Sequence, residues 1–207
     1  MTTLTHTGSG RGSAAIAERI IHEQDNTCLL AYARQLGHER GATMIMAARV
    51  LEEVVSKRPE FGTGIISALV DGLFSSHPRV VQMSANTLPC VTRTAPAKVA
   101  KHLTRINERF CAACEVAQEG IIRTYVALCL ASVTYHRKLE AVFQSILRDA
   151  APPQLAVCAD LLLPALKGQP HASCRDIVEG RLGDLPQDWA QKIARGLGIK
   201  LRMSMCG

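Results

Sequence analysis

Three groups of residues in this chain have types and spacings that could do chemistry. The largest is basic: Arg93, Lys98, Lys101, His102, Arg105 and Arg109. On one continuous helix the last five would lie within about 100° of one another at 3.6 residues per turn. Cations aligned in this way meet phosphates or the carboxylates of an acidic protein, which makes a contact strip and not a reaction centre. The second group is sulfur and imidazole, a C-x-x-C at Cys111 and Cys114 and an H-x-x-C at His171 and Cys174. Four zinc ligands can be counted, but the two pairs are too far apart along the chain to be expected on one tetrahedral ion. Neither pair has the strand-to-helix context of a thioredoxin-like redox site. The third group is carboxylates: Asp160, and Asp188 beside Trp189, the single tryptophan. Asp160 stands about 140° from Leu155 at helical pitch, off the apolar stripe, which predicts solvent exposure. Asp188 follows Pro186 in what reads as the first turn of a helix, where an acid suits the dipole. No Ser/His/Asp set, G-x-G-x-x-G or P-loop occurs. His22, His38, His77, His102, His136 and His171, with His6 near the start, form no cluster at ligand spacing and are expected to be solvated. No catalytic residue, metal or cofactor is therefore expected.

The elements that hold these side chains repeat. A bulky apolar residue has partners four, seven and about ten positions later in Met44-Ala48-Leu51-Val54, Val81-Ala85-Leu88-Val91, Ile122-Val126-Cys129-Val133 and Leu155-Ala159-Leu162-Ala165. Those offsets put each quartet on one helix face. Their first members are 37, 41 and 33 residues apart, and each is followed by a punctuated turn and a second amphipathic segment. Stacked helical pairs are the natural product of such a pattern. Turn and cap residues predict helices over 13–24, 42–57, 62–75, 77–93, 96–111, 118–135, 138–150, 171–181 and 187–197, another after Asp25 or Asn26, and one beginning at Pro152-Pro153. Ser13 reads as the N-cap of the first. Pro89 and Pro164 fall late in the second and fourth quartet helices.

Composition bounds the rest. With 47% hydrophobic and 20% charged residues the chain can build a core, which excludes global disorder. Eight cysteines fall mostly within the apolar pattern and read as reduced, packed thiols, not as a disulfide framework. No apolar run reaches the ~18 residues of a membrane span and no signal-like apolar stretch opens the chain, so a cytoplasmic location without membrane contact is expected. The net charge of +6 favours acidic partners.

The segment His77-Pro78-Arg79-Val80-Val81-Gln82-Met83-Ser84-Ala85-Asn86-Thr87-Leu88, followed by Pro96, resembles a HEAT repeat. The likeness extends over about residues 41–167. It implies an all-α, right-handed α-solenoid of stacked antiparallel helix pairs. The expected organisation is a flexible segment at 1–12 and a single solenoid domain at 13–207, with capping helices at 13–40 and 168–200. The resemblance would place second helices, and the basic strip with them, on the concave side. Size, helical content and charge also resemble HEAT-like alkylpurine DNA glycosylases, which implies a catalytic carboxylate and aromatics in a basic groove. Only eight aromatics are present here.

The expectation is thus a non-catalytic scaffold binding a macromolecule through the basic strip, without a small-molecule substrate. Its partner is an acidic protein or a nucleic acid, with a glycosylase as the enzymatic alternative. On the strip's own helix Glu108 is the acid placed to neutralise Arg105. A second basic group, Lys192, Arg195, Lys200 and Arg202, reads as a solvated end.

Overall fold

A computed structural model of the protein describes residues 8–38 and 41–198, and among them all regular structure is helical. The chain divides into two compact units, Met1–Leu128 and Cys129–Gly207. The first holds α1 (Gly8–Glu23), α2 (Asn26–His38), α3 (Ala42–Lys57), α4 (Ile66–Gly72), α5 (Pro78–Thr94), α6 (Pro96–Ala100), α7 (Leu103–Arg109) and most of α8 (Glu115–Ala131). The second holds the end of α8, then α9 (Val133–Asp149), α10 (Pro152–Leu162), α11 (Gly168–Arg181) and α12 (Gln187–Leu197). Short 3₁₀ segments lie at Pro59–Gly64, Phe110–Ala112, Leu163–Ala165 and Leu182–Asp184.

Three of the four quartets are core throughout. Met44, Ala48, Leu51 and Val54 on α3, Val81, Ala85, Leu88 and Val91 on α5, and Leu155, Ala159, Leu162 and Ala165 at α10 are all buried. The third quartet is corrected by its last member, because Val133 is 64% exposed and belongs to the next helix. Ile122 and Cys129 of that quartet are buried and Val126 is half-buried, and Ala117, Ile121, Tyr125 and Leu128 beside them on α8 are fully buried. Ser132 explains the shift: its backbone is extended and its hydroxyl accepts from the Thr134 N–H at 3.3 Å, capping α9 there and not near Lys138.

Other boundaries follow local chemistry. His77 caps α5, its Nδ1 accepting from the Arg79 N–H at 3.3 Å with Pro78 at the first helical position. Gly198, at φ 66°, closes α12 in the left-handed conformation. Ser13 is not a cap: α1 already begins at Gly8, and Ser13 is a buried residue within it. Residues 8–12 of the expected flexible segment are therefore helical, and 1–7 lie outside the described residues. The single helix expected over 62–75 is a 3₁₀ segment followed by the seven-residue α4, as the weak helix propensity of Gly62 and Gly64 allows.

In the first unit α3 packs against both α1 and α5, and α2 against α3 and α4, so alternate helices form neighbouring rows. α5 meets its neighbours at small residues. A Cβ on Gly72 would fall 2.1 Å from the Ser84 Oγ, and one on Gly120 would fall 2.5 Å from the Ala85 Cα. The small member of the α5 quartet is thus where α8 crosses backbone to backbone. In the second unit α9 packs on α11 and α10 on α12. Buried ends of its helices are satisfied over long sequence separations. Arg181 donates to the Leu147 and Ala150 carbonyls, both at 2.8 Å, at the end of α9.

Candidate interaction surface

The basic residues do not share one helix. The segment expected as a single helix over 96–111 breaks after five residues: the Lys101 and His102 N–H groups bond back to Lys98 and Val99 in i→i+3 turns, and α7 restarts with His102 as its N-cap. The core still takes its apolar members, Val99, Ile106 and Phe110 being buried. The bases distribute around that break. Arg93 is exposed in the last turn of α5, Lys98 is exposed on α6 and Lys101 is exposed in the turn after it, while His102 is half-buried.

Two members of the strip are held by their own fold. Arg105 forms an ion pair with Asp71 at the end of α4, so its neutralising acid is Asp71 and not Glu108. Arg109 lays its guanidinium over the Phe74 ring, 4.1 Å from the centroid. Arg93, Lys98 and Lys101 have no ion pair with any described residue. Asp71 also lines a groove of about 880 Å³ with Arg34, Met44, Ser75, His77 and Val80.

The remaining candidates separate. Cys111 and Cys114 are exposed free thiols in the first unit. Cys174 is buried in the second, and His171 is half-buried on the same helix. No group of three or more potential metal ligands occurs among the described residues. Asp160 is exposed and pairs with Lys192 at 3.6 Å, while Lys192 also lies 5.4 Å from the Trp189 ring centroid. Asp160, His171 and Arg175 line a groove of about 490 Å³. Asp188 is exposed in the first turn of α12. Arg195 is exposed, and Lys200 and Arg202 lie outside the described residues.

His136 overturns the expectation of solvated histidines. It is 2% exposed, and its Nδ1 accepts from the Lys167 N–H at 3.2 Å. That bond places the ring proton on Nε2, which donates to the Cys129 carbonyl at 2.9 Å, one of the orphan acceptors at the end of α8. Nothing in the spacing of the histidines marks this one, because both partners come from other elements. Three thiols of the second unit, Cys129, Cys158 and Cys174, are buried as well. Desolvation pushes Cys129 up to about 12, with the neighbouring Cys174 adding to the shift, and pushes Cys158 up to about 12 and Cys174 up to about 11.

The chain matches no protein-family model, no curated protein and no solved structure. No helix among the described residues is long and apolar enough to cross a membrane.

Proposed function

We propose that the chain is a non-catalytic helical-repeat scaffold of the HEAT-like, right-handed α-solenoid type, binding an acidic protein through Arg93, Lys98, Lys101 and His102. The observation that carries this reading is the trio of exposed cations without a counter-ion among the described residues, one in the last turn of α5, one on α6 and one in the turn between α6 and α7. The rows of alternating helices within each unit, and three fully buried quartets, support the repeat reading. Acidic protein is preferred to nucleic acid for two reasons. Arg105 and Arg109 are already engaged, leaving few cations to follow a phosphate backbone, and the aromatic beside the strip, the half-buried Phe74, already carries the Arg109 guanidinium on its ring, where a base would have to stack. Asp160 and Asp188 are both exposed and lack the desolvated setting of a general base, which favours binding without base excision.

The test compares a fluorescent poly-glutamate peptide with duplex DNA at ~50 mM salt. The expected result is saturable binding of the peptide, tighter than that of DNA, weakened at least about tenfold in Lys98→Glu/Lys101→Glu. Tighter binding of DNA with a steep salt slope would transfer the site to nucleic acid. Binding of neither probe would remove the reading.

A further inference from the structure

We propose that Cys111 and Cys114 form a reversible disulfide site, oxidised by low-molecular-weight disulfides of the glutathione type. Both thiols are exposed and free, on the turn that joins α7 to α8. The backbone brings them together: Ala112 ends the 3₁₀ segment and Ala113 is extended at φ −77°, ψ 146°. A helical residue followed by an extended one is the central pair of a type VIII β-turn, whose end Cα atoms lie within about 7 Å. That is the upper edge of the span a disulfide bridges, so closure draws the turn slightly inward. Exposed disulfides closed against some strain are the readily reduced kind, which makes the bond a reversible one.

The turn is held at both ends. Cys114 accepts the first bond of α8 from the Gln118 N–H at 2.9 Å, and the Gln118 side chain donates to the Phe110 carbonyl at 3.2 Å. The backbone turn that carries the two cysteines is therefore held while the helices on either side remain folded. Their selectivity comes from contrast, because Cys129, Cys158 and Cys174 are buried, while the half-buried Cys28 and Cys90 have no second cysteine within one turn of the chain to close a ring with.

The chemistry balances in two exchanges. One thiolate attacks a sulfur of the oxidant, forming a mixed disulfide and expelling one thiol of the oxidant. The second cysteine then attacks the protein-side sulfur, closes the Cys111–Cys114 bond and expels the other thiol. The pair gives up two electrons and two protons, and the oxidant is reduced to two thiols.

The experiment equilibrates the full chain, carrying Cys206→Ser to remove the terminal thiol, in reduced and oxidised glutathione mixtures, then quenches with acid, alkylates and maps peptides by mass. The expected product is a peptide pair joined by one internal Cys111–Cys114 bond, reversed by dithiothreitol, with Cys129, Cys158 and Cys174 modified only after denaturation. In Cys114→Ser the reaction stops at a glutathione adduct on Cys111. Separate glutathione adducts on both cysteines of the otherwise wild-type chain would overturn the proposal, as would two thiols left reduced at every ratio.

Discussion

At the scale of the residue, buried polar groups carry the largest consequences. His136 satisfies one donor and one acceptor, and its uncharged Nε2–H form is the only one that matches both. His136→Leu should leave the Cys129 carbonyl and the Lys167 N–H unpaired and cost about 2–4 kcal/mol, read as a lowered urea midpoint at unchanged slope. A nitrogen-15 spectrum of the folded protein should place the His136 proton on Nε2. The buried thiols set a limit at high pH. Their folded values, about 12, 12 and 11, lie above the ordinary 9.0, so the folded state holds protons that the unfolded state releases. Stability contributed by these groups is complete below about pH 9 and is lost as pH rises toward 11–12. Melting temperature should fall from pH 9 to pH 10.5, and Cys158→Ala should flatten that fall by up to about 1.4 kcal/mol per pH unit.

At the scale of the element, the crossing of α8 over α5 is the most sensitive contact. Pro89 removes the donor that the Ala85 carbonyl would meet within α5, and Gly120 packs on that same residue. Gly120→Ala should not relax by rotation of a side chain, because the obstacles are the Ala85 Cα and Cβ, both 2.5 Å from the added carbon. A loss of about 1–3 kcal/mol is expected by thermal melting, with Ala85→Gly restoring part of it in the double variant. Helix boundaries were legible where a strong cap or proline marks them: α3 and α12 fall where the sequence predicts, and α5 within one residue of its predicted end. Periodicity hides the boundary at Ser132, because the capping serine stands inside an apolar run that continues the pattern of α8 into α9.

At the scale of the whole molecule, the charge of +6 acts through its distribution. With Arg105 and Arg109 engaged internally, the proposed surface depends on three exposed cations, whose field is screened beyond about 10 Å at 0.1 M salt. Association with the poly-glutamate probe should therefore slow as salt rises from ~50 to ~300 mM while dissociation changes less, measurable by stopped flow. Equal slowing of Lys98→Glu/Lys101→Glu and wild type by salt would place the contact elsewhere.

The helical class, the inward faces of α3, α5 and α10 and the exposure of Asp160 are written in the order of the residues, because helical periodicity fixes which residues share a face. Tertiary structure alone decided that the basic strip is broken, that Asp71 and Phe74 take two of its arginines, and that His136 is a buried staple. Each of those outcomes depends on a partner brought in from another element, and periodicity along one segment carries no information about what another segment places against it.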